Sequence, residues 1–180
     1  MRRTMGLESW LRPRPARAAG RALYAAAAAQ ARRPEFYTAM GAPDTAEGRF
    51  ELYALHVVLL LHRLKREPRA EETAQALFDA FARALDDALR EMGVSDTSVG
   101  RKMRKLGEAL YGRIRAYDAA LEALPAREEL EAVLGRTVLA GSGGDVHAVA
   151  GYVARAREAV RGQPAAELGS GAVYWPEPAG

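Results

Sequence analysis

The segment from Leu52 to Leu61 restricts the fold of this chain more than any other, because it is apolar on nearly every side of a helix. A helix of that kind is stable only when other elements surround it. The preceding Asp44-Thr45-Ala46-Glu47 has the form of a capping box. In such a box Asp44 accepts from the free N–H groups of the first turn, and Glu47 reaches back. We therefore predict a central helix that begins here and runs to about Arg66.

The segments on either side also have helical patterns. In the longest, which begins at Asp96 or Ser98 and ends near Leu124, apolar residues recur three or four positions apart, as in an amphipathic helix: Val99, Met103, Leu106, Leu110, Ile114, Tyr117 and Leu121. The other predicted helices are Ala22 to Arg32, a short turn from Glu35 to Met40, Ala70 to Met92 capped by Gly93, Ala126 to Leu134, and a last helix that Asp145 caps and that ends near Val160. No segment alternates as a strand does.

The sequence thus predicts an all-α fold, a single-domain helical bundle of about five to seven helices. Its predicted parts are a basic flexible arm over residues 1–20, a helical core over 21–124, a C-terminal helical extension over 125–161 and a frayed, flexible tail over 162–180. A flexible linker, Gly141-Ser142-Gly143-Gly144, is expected before the last long helix.

Charge is distributed unevenly along the chain. The net charge is +3, but residues 1–40 hold eight arginines against Glu8 and Glu35. A basic front end favours acidic partners such as anionic lipid, RNA or an acidic protein face. The longest strongly apolar run, Val57 to Leu61, is far shorter than the roughly 20 residues that cross a bilayer. No transmembrane segment is predicted.

Catalytic and metal-binding patterns are not found in the sequence. His56 and His62 lie on different faces of one helix, and His147 is far away in sequence. The chain has no cysteine, no H-E-x-x-H motif and no nucleophile elbow. We therefore expect no enzyme activity and no cofactor. His56 is interpreted as a hydrogen-bonded histidine in or near the core.

The predicted helix that follows Ser98 has an unfavourable charge distribution at its start, which points to binding. Its first two turns carry four cations and no acid after Ser98, although the helix dipole disfavours cations there: Arg101, Lys102, Arg104 and Lys105. Tyr111 and Arg113 lie beside or near the same face, and Gly107 and Gly112 would let another backbone approach. A partner-binding surface and an ordinary solvated face are both compatible with this pattern.

Several ordered segments, at matching separations, together resemble one family. They are Phe36-Tyr37, Gly41-Ala42-Pro43-Asp44-Thr45, Gly48-Arg49-Phe50-Glu51, Leu55-His56, Arg63-Leu64, the stretch from Leu89 to Asp96, Tyr111-Gly112-Arg113 and Ala116-Tyr117-Asp118. The chain from Leu23 to Leu121 resembles the ubiquinol–cytochrome c chaperone family, whose mitochondrial members act in assembly of the cytochrome bc1 complex. Ala42 and Ser95 depart mildly from the family pattern, and the C-terminal third lies outside the resemblance.

The resemblance implies a helical assembly factor that binds newly made cytochrome b at the membrane face, without catalysis or a cofactor. The long targeting extension of mitochondrial members is missing, so a bacterial cytoplasmic protein is expected, at the inner face of the inner membrane and with peripheral membrane contact.

The candidate partner-binding residues are Arg101, Lys102, Arg104, Lys105, Tyr111 and Arg113. The residues expected to be structural are Asp44 as a cap, Arg90 as a buried or semi-buried ion-pair partner, and Arg49, His56, Glu91, Asp96, Tyr117 and Asp118. The alternative is a ribosome- or RNA-binding helical protein that uses the same cations, whose affinity would fall steeply with salt.

Overall fold

The computed structural model describes residues 15–91, 93 and 96–178, without the side chains of residues 96, 97, 99, 102 and 106. Within this part the chain forms eight α-helices and no strand: α1 (Pro15–Ala31), α2 (Glu35–Thr38), α3 (Ala46–Leu64), α4 (Glu71–Glu91), α5 (Asp96–Glu122), α6 (Glu128–Arg136), α7 (Val146–Gly162) and α8 (Ala165–Ser170). The predicted all-α fold is confirmed. The short helix α8 falls in the segment that was expected to fray.

Helix α3 lies at the centre of the fold, in contact with α1, α4, α5 and α7. Its Leu52, Leu55 and Val58 belong to a core that α2, α5, α6 and α7 complete. Its Val57 and Leu60 belong to a second core, formed mainly with α1 and α4. Because α3 is buried on both sides, the prediction of a surrounded central helix is confirmed.

The start of α3 differs from the prediction in its cap. The N-cap is Thr45, whose hydroxyl oxygen accepts from the Gly48 N–H at 3.1 Å. Asp44 instead forms an ion pair with Arg49 at 2.6 Å, so its predicted role as the cap is wrong. The chain bends so tightly here that a Cβ at Gly48 would collide with the carbonyl oxygen of Pro43. This contact fixes where the helix begins.

His56 lies fully buried in a hydrogen-bonded chain of side chains. Its Nδ1 lies 2.7 Å from the Leu52 carbonyl oxygen, and its Nε2 lies 2.7 Å from the Tyr152 hydroxyl. The carbonyl can only accept, so Nδ1 carries the proton and the hydroxyl donates to Nε2. Gln30 in turn donates to the Tyr152 oxygen at 3.1 Å. Both ring nitrogens of the neutral imidazole are satisfied, and burial lowers the pKa of His56 to about 4. The expected structural histidine is thus present in the core.

The C-terminal residues differ from the expected frayed tail. Leu168 of α8 is buried in the second core, and Trp175 packs edge-on to His56 with ring centroids 5.2 Å apart. The Gln30 amide donates to the carbonyl oxygen of Pro176 at 3.0 Å, and the Tyr174 N–H donates to Gln163 at 3.0 Å. Apolar burial and backbone hydrogen bonds therefore hold residues 171–178 across the bundle.

Parts of two other segments that the sequence predicted to be flexible are also packed. Helix α1 already includes Pro15 and crosses α4 closely at Gly20, inside the expected arm. Asp145 caps α7 as predicted, accepting from the Ala148 N–H at 3.0 Å. The preceding linker is not free, because the Asp145 N–H donates to the Met40 carbonyl oxygen at 3.0 Å.

The contact at Gly48 gives a direct test of this packing. Gly48→Ala should lower the free energy of unfolding by about 1–3 kcal/mol, since the backbone of Pro43 must move to admit the methyl group. The matched control is Gly112→Ala in α5, where an added Cβ meets no atom of the described chain within 4 Å. That change should raise the free energy of unfolding by about 1 kcal/mol, because alanine has a higher helix propensity than glycine. Urea unfolding measures both, and equal effects would contradict the assigned contact.

The buried His56 predicts a specific pH dependence of stability. The pKa of His56 is about 4 in the folded chain, against an ordinary value of about 6.5 for histidine. Below pH 6.5, His56 therefore binds a proton in the unfolded chain but not in the folded chain. Stability from this group is fully present above pH 6.5 and falls by about 1.4 kcal/mol per pH unit as the pH drops towards 4. The stability difference between wild type and His56→Gln should shrink over that window.

His147→Gln is the control for this measurement. Its ring is exposed, and the hydrogen bond with Glu131 raises its pKa, so its contribution has the opposite sign and is lost as the pH rises. A stability difference between wild type and His56→Gln that stays constant from pH 7 to pH 4 would show that His56 is not held neutral.

Candidate partner-binding surface

The N-terminal half of α5 carries the predicted cations on an open surface. Arg101, Arg104 and Lys105 are all exposed, and we call these three residues the basic face. Within the described chain, none of the ion pairs involves a residue of the basic face. The side chain of Lys102 lies outside the described residues. The structure thus describes three exposed cations on this part of α5, and none of them forms an ion pair with a described acidic side chain.

An exposed aromatic ring lies next along α5. Tyr111 is 61% exposed, and its ring lies 5.9 Å from that of Phe78 on α4. Phe81, one turn further along α4, stacks on Phe50 at 6.1 Å and contacts Tyr24 at 6.0 Å. Tyr111 thus contacts a ring, Phe78, that itself packs against the second core. Together with the basic face, it makes a surface that is cationic at one end and apolar at the other.

Arg113 does not join that surface. Its Nε donates to the two carboxylate oxygens of Glu51 at 2.6 and 2.8 Å, and its guanidinium lies 5.6 Å from the centre of the Phe50 ring. The Glu51 side chain is 8% exposed, and its hydrogen bond raises the pKa of Arg113. Removing either partner would leave a buried charge unpaired. The structure therefore corrects the sequence interpretation of Arg113: this side chain holds α5 against α3.

The C-terminal half of α5 is also tied to its neighbours. Tyr117 is buried, and its hydroxyl lies 2.6 Å from that of Thr137; burial raises its pKa. Asp118 accepts from His62 Nδ1 at 2.7 Å and from Lys65 at 2.6 Å. Burial favours the neutral carboxyl, but these two hydrogen bonds outweigh it, and the pKa of Asp118 lies below its usual value. Both side chains make contacts within the fold, and the structural role that the sequence assigned to them stays a prediction.

The remaining predicted structural residues lie near the end of α4 and the start of α5. Arg90 pairs with Asp86 at 2.9 Å, but its side chain is 49% exposed, so the prediction of a buried or semi-buried position is wrong. The pair is an ordinary one between successive helical turns. Glu91 is exposed. The side chain of Asp96 lies outside the described residues. Gly93 has the predicted left-handed backbone, with φ of 76°.

The glycines of α5 do not approach a neighbouring helix. No atom of the described chain lies within 4 Å of a Cβ built at Gly107 or Gly112. The close backbone approach that the sequence suggested is thus absent within the described chain, and these positions lie open beside the basic face and Tyr111.

One set of side chains has the composition of a metal site. Ligand atoms of His62, Asp118 and Glu122 lie within 4.8 Å of one another. However, the Lys65 ammonium lies 2.6 Å from both oxygens of Asp118, and Arg66 is bonded to Glu122. Side-chain cations therefore already neutralise both carboxylates, and the arrangement does not favour a metal ion.

Comparisons with known proteins agree with the fold and with the resemblance. The family described as Ubiquinol-cytochrome C chaperone matches residues 38–175, which includes most of the C-terminal third that the sequence resemblance had left out. The crystal structure of the Cbp3 homolog from Brucella abortus superimposes with a TM-score of 0.81 at 33% sequence identity, covering 91% of this chain and 92% of that chain.

No curated protein sequence matches the chain. In the described part of the chain, no helix is both long and apolar enough to span a bilayer. The family match covers more than half of the sequence. The solved relative has the same helical architecture over nearly the whole length of both chains. The chain belongs to the ubiquinol–cytochrome C chaperone family.

Proposed function

We propose that this protein is an assembly chaperone of the ubiquinol–cytochrome c reductase (bc1) complex that binds newly synthesised cytochrome b. The observation that carries the proposal is the surface formed by the basic face and Tyr111 on a chain of this chaperone family. The similarity to the Cbp3 homolog from Brucella abortus supports it. A chaperone of this kind works by binding and needs neither catalysis nor a cofactor.

The physical basis of binding differs between the two ends of the surface. The three cations of the basic face lie in the N-terminal half of α5, where the helix dipole disfavours positive charge. An acidic client segment would compensate that cost and be attracted over a distance. Tyr111 offers an amphipathic ring that becomes buried on contact. Charge therefore sets the rate of encounter, and the ring sets the lifetime of the complex.

The chemistry of the client fits such a surface and suggests where binding takes place. A newly made membrane protein exposes apolar segments together with polar ends before it is assembled. An amphipathic segment of that kind can contact the basic face and Tyr111 together. We place this event in the cytoplasm, at the inner face of the bacterial inner membrane, with peripheral contact to the lipid surface.

Deleting the gene in its host should selectively lower the amounts of cytochrome b and of assembled bc1 complex. The wild-type gene should restore both, whereas the triple charge reversal Arg101→Glu, Arg104→Glu and Lys105→Glu should not. Spectra of haem b and native gels of the bc1 complex measure the two quantities. The matched control reverses three exposed arginines elsewhere, Arg69→Glu, Arg83→Glu and Arg136→Glu, and should rescue like the wild type.

The same experiment separates the proposal from ribosome or RNA binding through these cations. Normal cytochrome b and bc1 complex in the deletion strain would rule out an essential assembly role. If the protein then sedimented with ribosomes in a manner that the triple reversal and raised salt abolish, the ribosome or RNA alternative would stand instead.

Binding kinetics should divide the surface into its two parts. With detergent-solubilised cytochrome b as the probe, the triple reversal should slow association about tenfold or more at low salt and leave dissociation little changed. Tyr111→Ala should speed dissociation about tenfold and leave association little changed. Tyr174→Ala is the control, because Tyr174 is equally exposed at 62% but belongs to the C-terminal segment. Surface plasmon resonance measures both rates, and equal effects of the two tyrosine changes would contradict the assignment of Tyr111.

A further inference from the structure

A small cavity between α3 and α7 is lined almost entirely by cationic side chains. We call it the arginine cavity; its lining residues are Leu59, His62, Arg63, Arg66, Arg157 and Arg161. Its volume of about 10 Å³ admits one atom of the size of a water oxygen. No carboxylate is among these lining residues, so the space itself is surrounded by groups that attract negative charge.

Two polar atoms in this group of side chains are buried without a hydrogen-bond partner in the described chain. They are Nε2 of His62, whose side chain is 5% exposed, and Nε of Arg157, whose side chain is 13% exposed. A buried polar atom without a partner is destabilising because it has lost its hydrogen bonds to water, and the cost is greater when the group is charged. Folded proteins seldom retain two such atoms at one place unless something binds there. The unmet hydrogen bonds therefore point to an occupant.

The chemistry of the two unpartnered atoms decides what kind of occupant fits. Asp118 accepts from His62 Nδ1 at 2.7 Å, so Nδ1 carries a proton. Arg157 Nε is always a donor. An occupant must therefore accept from Arg157 Nε, while at His62 Nε2 it accepts from a charged ring or donates to a neutral one.

The surrounding charges favour an anion over a neutral water molecule. Arg157 and Arg161 share the single carboxylate of Glu158. Glu67, Asp118 and Glu122 are bonded to Arg63, Lys65 and Arg66, and Arg63 also donates to the carbonyl oxygens of Val160 and Gln163. Five permanent cations therefore face four carboxylates.

We propose that the arginine cavity is a binding site for a phosphate oxyanion. One phosphate oxygen enters the cavity, accepts from Arg157 Nε and lies against Nε2 of His62. The remaining oxygens stay at the mouth, within reach of Arg66 and Arg161, whose side chains are 40% and 59% exposed. Guanidinium groups suit phosphate because they offer several donors in one plane. The phosphate belongs either to a phospholipid headgroup or to free phosphate.

Calorimetric titration of the full-length protein, at constant ionic strength, distinguishes these sources. One arm uses inorganic phosphate. The other uses vesicles of phosphatidylcholine alone or with about one third phosphatidylglycerol. Saturable binding of inorganic phosphate assigns the site to free phosphate. Binding only of the anionic vesicles, reduced by a change in the cavity, assigns it to a headgroup. Absence of both shows that the cavity holds water alone and overturns the proposal.

Substitutions test whether the phosphate binds in the arginine cavity. Arg157→Gln should weaken binding at least tenfold, whereas Arg136→Gln, an exposed arginine of α6 with the same change in charge, should leave it unchanged. Equal losses would indicate general charge attraction and overturn the assigned site. If Arg157→Gln fails to fold by circular dichroism, Arg161→Gln at the mouth takes its place, with an expected loss of at least threefold. The triple reversal in the basic face should leave phosphate binding intact, which separates this site from the proposed client surface.

Discussion

The burial of α3 on both sides is the constraint on which the rest of the structure depends. A helix that contributes apolar side chains to two cores leaves little room for polar groups, yet Glu51, His56 and His62 all lie buried along it. Glu51 requires a permanent cation, because an unpaired buried carboxylate would cost several kcal/mol. Arg113 supplies that cation. His56 is completed by Tyr152, and Asp118 accepts from Nδ1 of His62. These three partnerships determine where α5 and α7 pack on α3.

The same partnerships explain why one part of α5 remains open. Arg113, Tyr117 and Asp118 hold the helix from its middle to its end against α3 and the residues after α6. No comparable polar contact within the described chain fixes the basic face, and Tyr111 projects into solvent at the boundary between the two halves. The surface proposed for client binding is therefore the part of the helix that the internal pairing of α3 does not use.

Sequence reasoning succeeded where a local pattern has one physical solution. An all-round apolar helix must be surrounded, a regular apolar stripe must face a core, and an Asp before a helix can cap it, as Asp145 does. The prediction failed at Asp44 because both Asp44 and Thr45 have side chains that can cap a helix. Which of them does so depends on the bend of the chain at Pro43 and Gly48. Sequence reasoning allowed that Val173-Tyr174-Trp175 could dock but did not show where, because Gln30 and Pro176 meet across most of the chain.

Arg113 shows why the site itself was harder to predict than the fold. Periodicity places it near the cations of the basic face, and composition does not distinguish it from them; only the position of Glu51 on another helix does. The chain thus holds cations in two physical states. Those of the basic face are exposed, so salt screens them within a Debye length of about 8–10 Å. Arg113 is 25% exposed and pairs with Glu51, whose side chain is 8% exposed, and screening is weaker there. Salt should therefore weaken contacts at the basic face before it affects the pair that holds α5 against α3.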